Sequence, residues 1–193
     1  MKKYMYIIVT LYSVMMFLGI SGMAQANGDT AAATQSIQKR LQRLEDAQTI
    51  RALLLKYGRL LDKEDFVGYS KLFAQDGVWE GGIGSAKGPA EIQEMLDKVF
   101  GRVPRGQYGG SYHIMSSIMI DVEGDTATSW SRWTWIIEGK DGKPEMQRSG
   151  HYEDSLIREN GQWKFKHRLT VTELPTAQKD SEAQIFRKDF RDK

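Results

Sequence analysis

The spacing of apolar residues changes near residue 110, and this change constrains the fold more than any other feature of the sequence. In three stretches between residues 35 and 100, apolar side chains recur at helical spacing. Four later stretches alternate with a period of two and are predicted strands: 112–122, 126–138, 146–158 and 162–173. Turn signals such as Glu159-Asn160-Gly161 separate them, so neighbouring strands should be antiparallel. Helices followed by such strands predict an α+β domain over residues 35–174.

Three helices are predicted before these strands. The first is long and amphipathic, because Gly58 is the only glycine or proline between Gln35 and Asp62, and Asp46 is a candidate break. A short second helix is expected to end near Gly77, and a third opens with Gly88-Pro89 after a strand and a glycine-rich turn. We expect a cone-shaped barrel, in which a curved, mainly antiparallel sheet wraps around the long N-terminal helix, with two further helices and an internal pocket.

The first 26 residues have the pattern of a secretory signal peptide. Lys2 and Lys3 precede an apolar run over residues 4–20, and Ala24-Gln25-Ala26 supplies small residues for cleavage after Ala26. We therefore expect a periplasmic or secreted protein with no stable membrane anchor; a retained anchor is the alternative. Residues 27–34 are expected to be a flexible start, and residues 175–193 a charged tail outside the core.

Charge and cysteine content exclude several classes of protein. The chain has 27 Lys and Arg against 25 Asp and Glu, and the surplus lies in the leader as Lys2 and Lys3. The rest of the chain is balanced in charge, which argues against a nucleic-acid partner. The chain has no cysteine, which fits an exported protein without disulfides and excludes a thiolate metal site.

His113 opens the first of the four predicted strands and is one of three histidines in the chain. Alternation puts it on one face with Met115 and Met119, but both faces contain apolar residues, so the pattern leaves open which face lines the pocket. A histidine in a pocket can act as a general base when a carboxylate fixes its tautomer and stabilises its cation. The candidate carboxylate is Asp62, although it lies at the edge of the apolar helix stripe, where helical geometry alone predicts a solvated side chain. Tyr57 falls on the stripe, as a core residue would.

The other two histidines lie on the third and fourth of these strands. His167 shares the apolar face of Trp163 and Phe165, so we expect His167 to point inward and Arg168 outward. His151 is expected to face outward. One histidine on each of three strands leaves a metal enzyme as an alternative, but no pair of them has the close spacing of metal ligands.

Several segments, in this order and spacing, resemble the SnoaL-like branch of the nuclear transport factor 2-like superfamily. They are IRALLLKYGRLLDKEDFVGYSKLFAQDGVWEG, a GP dipeptide that opens a helix, a His that opens a strand, GDTATSWSRW and GHYEDSLIRENGQWKFKHR, and the likeness covers residues 37–173. Relatives in this branch include scytalone dehydratase, bile-acid dehydratase, lindane dehydrochlorinase and polyketide cyclases. The segment WEGGIGSAKGPAEI is especially similar to the dehydrochlorinase.

The resemblance implies a catalytic pair. In the dehydratase and dehydrochlorinase members, an Asp at the end of the first helix supports a His that removes a proton from carbon, and Asp62 and His113 fall on these positions. Tyr57 falls on a tyrosine of the bile-acid enzyme, and His167 lies near a basic residue of the dehydrochlorinase. The second acid–base residue of the dehydratases aligns near Trp135 or Ile136, and neither side chain can protonate a departing hydroxyl. The resemblance therefore favours loss of a stable anion such as chloride, or isomerisation by a base that returns its proton.

The same resemblance implies a small hydrophobic substrate and neither cofactor nor metal. The residues expected to line the substrate pocket are Trp79, Met115, Met119, Trp133, Trp135 and Phe165. Members of the superfamily are commonly dimers or trimers, so a homodimer or homotrimer is expected. The leading prediction is an exported, cofactor-independent lyase or isomerase. The alternative is a non-catalytic ligand-binding or assembly domain, because many members have a pocket without chemistry.

Overall fold

The structure is a computed structural model that describes the backbone of residues 2–100 and 110–175 and the side chains of residues 30–100 and 110–175. The predicted charged tail lies outside the described residues, apart from its first residue. The chain divides into two compact units, Met1–Leu44 and Glu45–Lys193. Helix α1 (Lys2–Asp62) contributes to both, and it passes through Asp46 without the break that the sequence suggests.

The first unit is helical throughout its described backbone. This helix includes residues 27–34, for which the sequence predicts a flexible start. The three alanines at residues 31–33 favour the helix, because alanine has the highest helix propensity of all residues. Among the residues whose side chains are described, no helix is long and apolar enough to cross a membrane.

The second unit contains the last turns of α1, two further helices and a six-stranded sheet. The elements are α2 (Phe66–Ser70), β1 (Phe73–Gly81), β2 (Gly84–Lys87), α3 (Gly88–Phe100), β3 (Ser111–Glu123), β4 (Thr126–Glu138), β5 (Pro144–Glu159) and β6 (Gln162–Leu174). The strand order is β2-β1-β6-β5-β4-β3, and all neighbours are antiparallel except β1 and β6. The edge strands β2 and β3 do not pair with each other, so the sheet is open and not a closed barrel. The predicted α+β class is confirmed.

Strand β1 begins earlier than the sequence indicates. The sequence predicts a helix that reaches toward Gly77, but α2 ends at Ser70. Asp65 caps its start by accepting a hydrogen bond from the Gly68 N–H at 2.8 Å. Phe73, which is 1% exposed, then enters the sheet beside β6. Pairing with β6 therefore outweighs the local helical pattern.

The core of the second unit lies between α1 and one face of the sheet. Ile50 and Leu54 of α1 are 0% exposed and belong to the same buried cluster as side chains of β5 and β6. Asp46 fixes this part of the helix to the sheet: its carboxylate accepts a bond from Trp163 Nε1 at 3.1 Å and pairs with Arg158 Nη2 at 2.7 Å. Full burial of an aliphatic side chain stabilises a fold by about 1.5–3 kcal/mol, so this interface holds the helix in place.

A β-bulge in β3 reverses which side chains face the core. Between Ser116 and Met119 the register shifts by one residue relative to β4, and Ser117 adopts a φ of 50°. Met115 packs against the core before the bulge and Ile118 packs against it afterwards. Met119 is 61% exposed on the outer face of the sheet, so its predicted place on the face of Met115 is wrong.

A second bulge, in β6, changes the composition of the site. The register shifts between Phe165 and His167 relative to β5, and Lys166 is the extra residue. Phe165 faces inward as predicted, but Arg168 then takes the inner face and is 0% exposed. His167 lies on the outer face, where its Nε2 is 2.8 Å from Glu80 Oε2. The predictions that His167 points inward and Arg168 outward are therefore wrong.

Candidate active site

A cavity of about 480 Å³ opens beside the end of α1, between helices α2 and α3 and the inner face of the sheet. Small-molecule sites commonly have volumes of about 300–1,000 Å³, so the cavity can hold a ligand of this class. The aromatic residues in its wall are Tyr57, Phe66, Tyr69, Trp79, Phe100, Trp133, Trp135 and Tyr152. Such a wall suits an apolar ligand.

Asp62 and His113 form a close pair at the wall of this cavity. Asp62 is the last residue of α1 and His113 lies near the start of β3. The Asp62 Oδ1 atom is 2.6 Å from His113 Nδ1, and the side chains are 18% and 15% exposed. The same carboxylate accepts the His113 backbone N–H, at 3.1 Å to Oδ1 and 3.2 Å to Oδ2. The contact that the sequence suggests is therefore present, and its two kinds of bond fix both the strand and the ring.

This contact determines the tautomer of His113. A carboxylate accepts but does not donate, so Nδ1 carries the hydrogen and the neutral ring keeps its lone pair on Nε2. Within the described part of the chain, Nε2 has no hydrogen-bonding partner. An imidazole oriented in this way can accept a proton from a molecule in the cavity.

Two tryptophans of β4 limit the movement of the imidazole. Trp135 is directly opposite His113 in the β3–β4 register, and their rings are parallel to within 11° with centroids 6.1 Å apart. The Trp133 ring centroid is 6.4 Å from that of His113. The imidazole is therefore held by a hydrogen bond on one edge and by aromatic rings nearby.

A network of phenols and an indole surrounds Tyr57 on the other side of the cavity. The Tyr57 hydroxyl accepts hydrogen bonds from the Tyr69 hydroxyl and, at 3.0 Å, from Trp79 Nε1. Burial raises the pKa of Tyr69 well above its usual value, and burial raises that of Tyr152 in the same way. Both phenols therefore stay protonated at neutral pH and can act as hydrogen-bond donors.

A buried ion pair lies beneath these phenols. Arg168 donates to Asp154 from Nε at 2.7 Å and from Nη2 at 2.8 Å, and both side chains are 0% exposed. Its guanidinium carbon lies 3.9 Å from the ring centroid of Tyr57 and 4.1 Å from those of Tyr152 and Phe165. Burial alone would lower the pKa of Arg168, but the Asp154 carboxylate outweighs it and holds that pKa above its usual value. A permanent positive charge thus supports the aromatic wall of the cavity.

Two glycines make room for the tryptophans of the wall. A Cβ atom on Gly81 would lie 2.7 Å from the Trp79 ring, and one on Gly150 would lie 2.9 Å from the Trp133 ring. Gly150 is also opposite Trp133 in the β4–β5 register. A side chain at either glycine would therefore displace an indole that lines the cavity.

Replacing Gly150 with alanine is expected to lower the free energy of unfolding by about 1–3 kcal/mol, because overpacking forces backbone shifts. The new Cβ would lie 1.9 Å from the Val171 carbonyl oxygen. Gly58→Ala is the matched control: its Cβ would meet nothing closer than Met115 Cγ at 3.6 Å, so we expect equal or higher stability. Urea unfolding of the two variants measures the difference, and equal midpoints would contradict the predicted clash.

The structure brings together most, but not all, of the residues that the sequence singles out. Those that line the cavity are Tyr57, Asp62, Trp79, His113, Trp133 and Trp135. Met115 and Phe165 pack in the adjoining core and do not line the cavity. Met119 and His167 lie on the outer face, against a different groove. His167 therefore has no place in the chemistry of this site.

Sequence reasoning missed several residues of the site. Arg168 was hidden by the bulge, since strict alternation turns it outward. Tyr69 lies on a helix too short to show a period. The alternation of β5 did contain a signal for Arg148 and Tyr152, which share one face and both line the cavity. Among the described residues, no three His, Asp or Glu side chains are grouped as they would be at a metal site.

The fold and this site define a class of protein: an α+β domain whose helix and sheet surround an apolar cavity with an Asp–His pair in its wall. The sequence matches the SnoaL-like domain over residues 42–169, and the chain belongs to this family. No curated protein matches the sequence.

Solved structures agree with this assignment. An NTF2-like protein with a cystatin-like fold from Novosphingobium aromaticivorans is 28% identical, with a TM-score of 0.65, over 73% of this chain and 90% of its own. A Mycobacterium tuberculosis protein of unknown function is 23% identical, with a TM-score of 0.60, over 70% of this chain and 76% of its own. LinA is 20% identical, with a TM-score of 0.58, over 68% of this chain and 88% of its own. The last two likenesses concern the fold alone.

Proposed function

We propose that this protein is a cofactor-independent lyase or isomerase that acts on a small hydrophobic molecule. His113 is the base and Asp62 is the group that orients it. The observation that carries the proposal is the 2.6 Å contact between the Asp62 carboxylate and His113 Nδ1 at the wall of an aromatic cavity. This contact leaves Nε2 as an oriented acceptor at the place where an apolar molecule would bind.

The elimination begins when His113 Nε2 takes a proton from a carbon of the substrate. The electrons of that C–H bond form the new double bond, and the leaving group departs from the neighbouring carbon with the electrons of its own bond. The Asp62 carboxylate stabilises the imidazolium, which then loses its proton to solvent. In an isomerisation, Nε2 returns the proton to a different carbon of the same molecule. Neither reaction needs an oxidant or a reductant.

The lining of the cavity supports a leaving group that departs as a stable anion. The second acid–base residue of the dehydratases aligns near Trp135 or Ile136, neither of which is an acid, and the Trp135 indole is parallel to the His113 ring. Tyr69 and Tyr152 can donate hydrogen bonds, but burial raises the pKa of each phenol and makes it a poor acid. Halides and carboxylates leave without protonation, whereas hydroxide does not.

A non-catalytic binding domain is the second candidate function. It is favoured by the bonds from the His113 backbone N–H to the Asp62 carboxylate, because they tie an edge strand to α1 without any chemistry. The two functions differ in what happens to a bound molecule. Hydrophobic halides, β-hydroxy carbonyl compounds and enolisable ketones should be incubated with the protein in D₂O and followed by NMR. Elimination or deuterium uptake supports the enzyme, and binding with neither supports the binding domain.

We further propose that the protein is exported and that its leader is removed after Ala26, on the strength of Lys2, Lys3 and the Ala24-Gln25-Ala26 sequence. The full chain, expressed in a bacterium with a periplasm, is expected to yield a mature protein that begins at Asn27. Intact-mass measurement of the periplasmic fraction checks this. Recovery of the uncleaved chain from the membrane fraction would contradict it, and Ala24→Leu/Ala26→Leu should block cleavage.

A further inference from the structure

The positively charged side chain of Arg148 lies in the same cross-strand row as the candidate base, His113, on the inner face of the sheet. His113 in β3 is directly opposite Trp135 in β4, and Trp135 is directly opposite Arg148 in β5. All three residues line the cavity. Neighbouring strands are about 4.8 Å apart, so the backbones of His113 and Arg148 are about 10 Å apart across the sheet.

Arg148 is distinguished by its charge and by its lack of a partner. Among the described residues that line the cavity, it is the only lysine or arginine. Within the described part of the chain it forms no hydrogen bond or ion pair, unlike the arginines Arg132, Arg158 and Arg168. Its side chain is exposed, so the charge costs little desolvation before a ligand arrives. An unpaired guanidinium at the wall of an apolar cavity is available to a ligand.

We propose that Arg148 binds a carboxylate of the ligand, and that the substrate is an apolar carboxylic acid. The guanidinium is a planar fork whose N–H groups match the two oxygens of a carboxylate. Because Arg148 lies two strands from His113, it holds a group remote from the carbon that loses its proton. The body of the ligand would then lie across Trp135, between the carboxylate and the base. This inference rests on the proposed function for the role of His113, but not for the binding of the acid.

The distance from the base determines which kinetic parameter Arg148 affects. We expect Arg148 to contact the remote carboxylate equally in the ground state and in the transition state, and such uniform binding lowers KM and leaves kcat unchanged. His113 contacts the reacting atoms and acts on kcat. The two residues should therefore be separable by experiment.

The test compares an acid with its neutral analogue. Binding of 2-naphthylacetate and 2-naphthylacetamide is measured by isothermal titration calorimetry at low ionic strength. The wild-type protein should bind the acid about ten- to a hundred-fold more tightly than the amide, as expected for a charge-assisted hydrogen bond. Arg148→Gln should abolish this preference while leaving the affinity for the amide unchanged. Arg148→Lys should keep part of it, because the charge remains and the fork is lost.

Lys140→Gln is the matched control, because it removes the same formal charge from the exposed β4–β5 turn, outside the cavity. It should keep the preference for the acid.

Three results would each overturn the inference: equal affinities of the wild-type protein for acid and amide, undetectable binding of the acid at millimolar concentration, or a preference that survives Arg148→Gln. An Arg148-dependent preference without any turnover would support the inference and count against the enzyme. Turnover of acids with a KM that Arg148→Gln leaves unchanged would support the enzyme and count against the inference.

Discussion

Replacing His113 with alanine is expected to lower turnover of any active substrate by about 10²–10⁴-fold, the usual contribution of a positioned general base. Affinity for the substrate should remain, because the tyrosines, tryptophans and phenylalanines of the cavity wall are unchanged. Rates of elimination and of deuterium exchange, measured beside affinities from calorimetry, separate the loss of chemistry from the loss of binding.

The structure provides a histidine that serves as a matched control. His167→Ala removes the same side chain from the outer face of the sheet, where it contacts Glu80, and should leave the rate unchanged. Asp62→Asn should lower the rate as well, because an amide does not stabilise the imidazolium that forms in the transition state. Equal rates for the wild type and His113→Ala on every active substrate would remove His113 from the mechanism, and equal losses for His113→Ala and His167→Ala would indicate a general effect on stability.

The arrangement of elements could be read from the sequence because the signals that define it are local. Glycines with a positive φ mark the turns between the later strands: φ is 60° at Gly124, 77° at Gly142 and 75° at Gly161. These turns fix the ends of the four strands to within a few residues. Two strands required tertiary information: the first residues of β1 continue a helical pattern and become a strand by pairing with β6, and β2 lies in the predicted glycine-rich turn and pairs with β1.

The faces of two strands could not be read in the same way. Alternation assumes that every residue advances the strand by one step, and a bulge adds a residue without advancing it. In β3 the extra residue is near Ser117, and in β6 it is Lys166. Neither position carries a glycine or proline that would mark it. As a result, Met119 and Arg168 were assigned to the wrong faces.

The candidate site was predicted by resemblance more than by pattern. The helical stripe alone leaves Asp62 at its edge, where a solvated carboxylate is the simpler expectation. What brings Asp62 to His113 is the packing of the end of α1 against the first residues of β3, an edge strand whose free N–H group the carboxylate accepts. Such a contact joins residues 51 positions apart in the chain, and no local spacing reveals it.

Removing one partner of the buried Arg168–Asp154 pair is expected to lower the free energy of unfolding by about 3–5 kcal/mol. Both side chains are 0% exposed, and Asp154 Oδ2 also accepts the Ser129 hydroxyl at 2.6 Å. In Arg168→Met the Asp154 carboxylate would be left without a counter-charge in the core, and in Asp154→Leu the guanidinium would be left beneath the aromatic rings of the cavity wall. Unfolding by urea, followed by tryptophan fluorescence and by far-UV circular dichroism, measures the loss.

Two further variants distinguish the cost of an unpaired charge from the loss of a contact. The double variant Arg168→Met/Asp154→Leu removes both charges and should recover much of the stability that either single change loses, because a well-packed apolar pair often replaces a buried ion pair at little cost. Arg132→Met removes an arginine from the outer face, where the side chain is 48% exposed, and should change the urea midpoint little. If Arg168→Met unfolds at the same urea concentration as Arg132→Met, the pair does not hold the core. If the double variant is less stable than both single variants, each side chain stabilises the fold mainly through contacts outside the pair.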